Sequence, residues 1–139
     1  MTAALGVQMA AQDWARTVAE RVGAGMRMLD LLTAVDRPDG EGPGGTIEVV
    51  LHLVDPGPPM TEEFLHVVCD RESPVLDSLV AILPAAAWHE REIHEMFGVD
   101  FVGHPDLRPL LLAPGPVATP LRKDVRLEAR GEEPRRGRR

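Results

Sequence analysis

The densest run of reactive side chains lies in residues 85–98, AAAWHEREIHEMFG, where His89, Glu90, Arg91 and Glu92 are consecutive and His94 and Glu95 follow. Imidazoles beside carboxylates suit either a divalent metal or general acid–base work, so spacing has to decide. HEREIH is close to the zinc-protease pattern His-Glu-x-x-His, but it carries one residue too many. That pattern needs its histidines at i and i+4 on one helix face. At i and i+5, His89 and His94 point about 140° apart on a helix. Glu90 and His94 do share a face, but two ligands do not close a site. A metal-dependent enzyme built on His89, Glu90 and His94 is therefore the remote reading, and a solvated or interfacial charged face is the plainer one.

Other chemistries find less support. Ser73 and Ser78 have no glycine elbow around them. GEGPGG (40–45) lacks the lysine and following helix of a phosphate loop. Aromatic residues are 4% with no tyrosine, a poor basis for stacking on nucleotide bases. The single cysteine, Cys69, excludes an intrachain disulfide and sits in the apolar run FLHVVC, where a buried inert thiol is expected.

The element that must carry the cluster is a helix over 85–97. With Trp88 as reference and about 100° per residue, Ala85, Met96, Ile93 and Phe97 make one apolar face, and Glu90, His94, Arg91 and Glu95 cover the other. Glu92 falls between Trp88 and Met96. A carboxylate on a buried face needs a cation, and Arg108 and Arg122 are the candidates.

Upstream, residues 11–22 place Ala11, Trp14, Ala15, Val18 and Val22 on one helical stripe, with Asp13 as N-cap and Gly23 as terminator. Residues 26–36 mix both periods and suggest a short helical turn running into a strand. RPDGEGPGG (37–45) is a loop. Residues 46–55 and 62–70 predict two strands joined as a hairpin. Residues 73–83 predict a helix, with Ser73 as N-cap, Pro74 in the first turn and Leu76, Leu79, Val80 and Leu83 at helical spacing. Pro84 ends it and starts the next.

After Gly98 the chain becomes VDFVGHPDLRPLLLAPGPVATPLRKDVRL, rich in proline and without helical or strand periodicity. Gly98 should close the helix in the left-handed conformation, and Gly103-His104-Pro105-Asp106 should form a tight turn. An extended arm with apolar LLL in it needs a surface to lie on, and the small domain is expected to supply only part of one. The fold expected is α+β: a two-layer domain of helices on a short mixed or antiparallel sheet over 1–100, an extended docking arm over 101–129, and a disordered basic tail over 130–139.

Length and composition agree. The chain has 139 residues, 44% hydrophobic and 27% charged, in the range of one globular domain. No apolar run reaches the roughly 18 residues that span a bilayer, and MTAALGVQMAAQDW lacks the basic start of a secretory signal, which favours a reducing cytosolic setting. The net charge is −7, although the last ten residues hold five arginines against Glu132 and Glu133. An acidic body argues against nucleic acid as the main partner.

One pattern is more specific than any of these. W-x-E-R-E-x-x-x-M-F-G-x-x-F-x-G-H-P-D-L-R followed by P-L-R-K-D resembles the signature of the C subunit of proton-pumping NADH–quinone oxidoreductase, the thirty-kilodalton subunit of respiratory complex I. The matching positions are Trp88, Glu90, Arg91, Glu92, Met96, Phe97, Gly98, Phe101, Gly103, His104, Pro105, Asp106, Leu107 and Arg108, then Pro120, Leu121, Arg122, Lys123 and Asp124. LLTAVD (31–36), VVLHLV (49–54) and SPVLDSLVAILPAAAW (73–88) fit the family's order of segments. The chain departs from the pattern at His94-Glu95, where the family usually has Tyr-Asp, and at Pro109, PVATP and Val125.

The resemblance implies a non-catalytic subunit of the peripheral arm on the cytoplasmic face of the membrane, reaching the membrane only through the complex. It would dock on the large quinone-site subunit, which is like the hydrogenase large subunit, beside iron–sulfur subunits, and would support electron transfer to quinone. It implies no cofactor in this chain, with FMN, iron–sulfur clusters and quinone on other subunits; one cysteine could not hold a cluster that takes four. Trp88, Glu90, Arg91, Glu92, Phe97, Gly98, Gly103, His104, Pro105, Arg108, Pro120, Leu121, Arg122, Lys123 and Asp124 are the docking residues it implies, with Arg91, Arg108, Arg122 and Lys123 as charge-assisted anchors. Membrane-bound nickel–iron hydrogenases and formate hydrogenlyases contain related subunits, so an equivalent scaffold role in such a complex is the alternative.

Overall fold

Three consecutive ten-residue strands supply most of the core. They are β2 (Met28–Arg37), β3 (Thr46–Asp55) and β4 (Thr61–Asp70). The computed structural model describes residues 6–115 and 118–127. β3 lies between β2 and β4, antiparallel to both, and a short strand β1 (Val7–Met9) adds parallel to β4, giving the order β1-β4-β3-β2. A register shift between Leu29 and Leu31 kinks β2.

The period of two puts Leu32 and Ala34, Ile47, Val49, Leu51 and Leu53, and Leu65, Val67 and Cys69 on one buried face. Trp14 and Val18 of α1 (Trp14–Gly23) and Ala86, Ile93 and Phe97 of α2 (Ala86–Phe97) join the same cluster, so both helices cover that face. Each leucine, isoleucine, valine or phenylalanine among them removed from water contributes about 1.5–3 kcal/mol. The opposite face is polar in its middle: His52 pairs through Nδ1 with Asp30 at 2.8 Å and His66 with Glu48 at 2.8 Å. The architecture is the expected two-layer α+β domain on a mixed sheet.

Local differences from the sequence reading have physical causes. The stretch 73–83 is not a helix. Val75–Asp77 forms β5, parallel to β6 (Asp100–Val102), and turns follow to residue 83. Leu76, Leu79 and Leu83 are still buried, so the helical spacing recorded burial rather than helix. What diverts the backbone is Glu90, whose carboxylate takes the Leu79 N–H at 2.6 Å and the Ser78 hydroxyl at 2.6 Å. Residues 26–36 hold no separate helical turn: Met26 N–H closes α1 on the Arg21 carbonyl and the chain is extended from Met28. Asp13 stands at the N-cap position of α1 without capping it, its side chain being engaged by Arg16. Cys69 is buried, and that burial pushes its thiol up to about 11. β6 ties residues 100–102 to the domain rather than to the arm. The basic tail, 130–139, lies outside the described residues.

Candidate docking site

The buried stripe of α2 is Ala86, Glu90, Ile93 and Phe97, at spacings of four, three and four, with Met96 beside it. The phase differs from the predicted face, which ran from Trp88 through Met96 and Ile93 to Phe97. Trp88 is 68% exposed, Glu92 is exposed, and the carboxylate that is buried is Glu90, at 0%. Glu92 therefore needs no cation. Arg108 pairs with Asp106 and Arg122 donates to the Phe97 carbonyl, so neither is its partner.

Glu90 sits at the root of the arm. Besides Ser78 and Leu79, its Oε2 lies 3.9 Å from Nε2 of His104, whose side chain is 1% exposed. The Asp106 N–H donates to His104 Nδ1 at 2.9 Å, so Nδ1 is the bare nitrogen and Nε2 carries the proton. That proton goes to the Ala87 carbonyl at 3.0 Å. Burial pushes the Glu90 carboxyl above its ordinary value, against the opposing pull of Ser78, the Leu79 amide and His104. Gly103 takes φ +84°, and the His104 N–H closes the turn on the Phe101 carbonyl. Asp106 then pairs with the Arg108 guanidinium and accepts the Arg108 amide, which together hold its carboxyl well below the usual range.

Beyond the turn, the outer face of α2 receives the arm. Arg91 donates through Nε to the Arg108 carbonyl at 2.9 Å and through a terminal nitrogen to the Pro109 carbonyl at 3.0 Å. Its guanidinium carbon is also 6.0 Å from the centre of the Trp88 ring, at the outer limit of a cation–π contact. Glu95 accepts three successive amides, Leu110, Leu111 and Leu112, at 3.1, 2.8 and 2.9 Å. Its burial opposes ionisation, but the three N–H donors win and the carboxyl is lowered. A cleft of about 640 Å³ lies between helix and arm, with His94, Leu107, Pro109 and Leu112 in its walls.

The second arm segment caps the helix. Gly98 ends α2 at φ +79°, as the sequence implied, and a Cβ there would come within 3.0 Å of Thr119 and 3.2 Å of Arg122. The Leu121 N–H meets the Met96 carbonyl at 3.1 Å and Arg122 Nε meets the Phe97 carbonyl at 2.7 Å, satisfying two carbonyls the helix leaves open. The Lys123 amide donates to Asp36 at 2.7 Å. Asp36 is buried and paired with Arg71 at 2.6 Å; that pairing, with the Lys123 amide, holds its carboxyl below the ordinary value despite burial. Arg71 also reaches Asp124 at 2.7 Å.

The expected docking residues thus divide in two. Glu90, Phe97, Gly98, Gly103 and His104 build the helix and the root of the arm, while Arg91 and Arg122 hold the arm to the chain's own domain. Pro120 is half-buried in the capping segment, and Lys123 engages through its backbone. Trp88, Glu92, Pro105, Arg108, Leu121, Lys123 and Asp124 are exposed. Glu95, Asp36, Arg71 and Ser78 complete the arrangement and stood outside the expected set. The arm's polar groups find partners on its own domain, while Leu111, Leu112 and Leu121 stay exposed. His94 donates to the Val99 carbonyl at 2.8 Å, and Glu90 and His94 both have their partners inside the chain.

The family described as respiratory-chain NADH dehydrogenase, 30 Kd subunit, matches residues 7–131. The chain is 45% identical over 109 residues to the NADH-quinone oxidoreductase C subunit of Moorella thermoacetica, covering 78% of this chain and 70% of that protein. It is 41% identical over 96 residues to the NADH-quinone oxidoreductase C subunit of Chelativorans sp., covering 69% of this chain but 46% of that protein. It spans about half the length of several such relatives. Among solved structures, the trypsin-resistant fragment of Nqo5 superposes with a TM-score of 0.65 at 27% identity over 73% of this chain and 80% of that one. A chain of the membrane-bound sulfane sulfur reductase, an archaeal respiratory membrane complex, superposes with a TM-score of 0.75 at 25% identity over 86% of this chain and 70% of that one.

Proposed function

The chain belongs to the respiratory-chain NADH dehydrogenase 30 Kd subunit family, and on that premise we propose that it is a non-catalytic peripheral-arm subunit of a proton-pumping NADH–quinone oxidoreductase. It docks on the large quinone-site subunit beside iron–sulfur subunits, on the cytoplasmic face of the membrane, and keeps the electron-transfer subunits in register. FMN, clusters and quinone belong to those other subunits. One observation supports this reading above the others: four ionisable groups of the helix are engaged within the chain, while three large apolar residues of the helix and arm are left outward. Glu90, Arg91, His94 and Glu95 each have partners within the chain, while Trp88, Leu111 and Leu121 are each at least half exposed. An exposed tryptophan with arginine nearby, here Arg91, is the composition that dominates the binding energy of protein interfaces. Among the described residues, no helix is long and apolar enough to cross a membrane.

Affinity purification of the tagged chain from gently solubilised membranes of its native host tests the proposal. The expected outcome is a large subunit together with iron–sulfur subunits. Recovery of the chain alone, holding one equivalent of zinc, would favour the metal-enzyme reading and overturn this one.

The likeness to the sulfane sulfur reductase chain favours a second reading, the equivalent scaffold in a related membrane complex such as a nickel–iron hydrogenase or formate hydrogenlyase. The co-purifying large subunit separates the two: nickel-binding cysteines in it select the hydrogenase-type complex.

A further inference from the structure

The arm is attached to the domain in two unlike ways. Its root is buried: Phe101 lies in the core, and the His104 side chain is locked between the Ala87 carbonyl and the Asp106 amide. Past Leu107 none of the described residues is buried. What holds them is polar. Glu95 takes the amides of Leu110, Leu111 and Leu112, Arg91 takes the carbonyls of Arg108 and Pro109, and Asp36 takes the amide of Lys123.

We propose that residues 108–112 and 119–124 form a strap with two polar latches, Glu95 inboard and the Asp36–Arg71 pair outboard, which opens while the domain and the root of the arm stay folded. Segments with little buried apolar surface open locally at far lower cost than the core. The latch groups also tolerate the open state. Glu95 is half-exposed, so water can replace the three amides. Asp36 keeps both of its bonds to Arg71, at 2.6 and 3.0 Å, when the Lys123 amide leaves. Opening bares the Met96 and Phe97 carbonyls and the Glu95 carboxylate to water. The device is a property of this chain alone and stands whether or not the docking reading does.

Native-state hydrogen exchange on the full 139-residue chain tests it. The Leu111, Leu112 and Lys123 amides should be protected, yet exchange about a hundredfold or more faster than those of Leu51 and Leu65, with rates little changed by low denaturant. Glu95→Ala should speed exchange at Leu110–Leu112 about tenfold, the loss expected for charge-assisted bonds, and leave Leu51 and Leu65 unchanged. Glu95→Gln, which keeps one acceptor oxygen, should fall between. The strap is refuted if its amides are unprotected in the wild type, if they exchange in step with the core as denaturant rises, or if Glu95→Ala leaves them unchanged or accelerates core and strap alike.

Discussion

Glu90 concentrates the conflict between burial and charge in one side chain. It is fully buried on the packed face of α2 among Ala86, Ile93 and Phe97, yet it organises the turns before the helix through Ser78 and the Leu79 amide. Truncation to alanine would leave the Leu79 amide buried and unpaired, at roughly 1–3 kcal/mol, and the half-buried Ser78 hydroxyl without its acceptor, so Glu90→Ala should lower stability well beyond the loss at a surface position. Glu90→Gln behaves differently because it copies the protonated acid. Burial raises the folded-state pKa above the ordinary 4.5, so between those two values the folded chain holds a proton that the unfolded chain has released. Stability from this group is therefore greatest at low pH and falls as pH rises through that window; above it the buried charge is a fixed cost. The stability of Glu90→Gln relative to wild type should accordingly rise with pH through the window. Thermal unfolding of both proteins from about pH 4 to about pH 8 measures the difference, and a flat difference would show that Glu90 titrates as it does in the unfolded chain.

At the level of elements, β3 and β4 were legible because both are rich in apolar, β-branched residues bounded by turn residues, and the helical stripes of 11–22 and 85–97 were legible in existence. Phase was not. A wheel knows only which residues are apolar, and Trp88, the largest of them, extended the face to its own side of the helix although it lies outside. No local signal marks Glu90 as buried, because its partners come from residues 78, 79 and 104, and none links Asp36 to Arg71 thirty-five positions on. β5 and β6 were hidden for the same reason, each being three residues long and defined only by the other. The pairing has a consequence for truncation. A chain ending after Leu107 keeps β6, Phe101 and the His104 turn, and should unfold cooperatively with a modest loss from the helix carbonyls left uncapped. A chain ending after Val99 loses Phe101 from the core, which alone costs about 3–5 kcal/mol on the scale of Phe-to-Ala changes, and leaves β5 without its partner. Circular dichroism melts of the two truncations should separate them by well over ten degrees, since about 1 kcal/mol moves the midpoint by roughly 4–8 °C in a domain of this size. Equal midpoints would mean that β6 is peripheral to the fold.

For the whole molecule, Arg91 and Glu95 on the polar side of α2 are turned to the chain's own arm, while Trp88, Leu111 and Leu121 are turned to solvent. In the docking proposed above, an arm already set in place by Glu95, Arg91 and Asp36 would lose little backbone entropy, the cost that weakens binding by segments disordered beforehand. The prediction belongs to the surface and not to the fold. Trp88 is 68% exposed and the Arg108 side chain 82% exposed, so replacing both by alanine should change the stability of the isolated chain by no more than about 0.5 kcal/mol per site. In the assembled complex the same positions should behave as hot spots. A loss of about 2 kcal/mol per interface anchor is roughly a thirtyfold fall in affinity. The double variant should therefore melt like the wild type yet be recovered with the large subunit only weakly, while Glu41→Ala in the exposed 37–45 loop should co-purify normally. Normal recovery of the Trp88/Arg108 variant would move the docking surface elsewhere on the chain, with the open face of the sheet around the exposed Leu31 and Val68 as the next face to mutate.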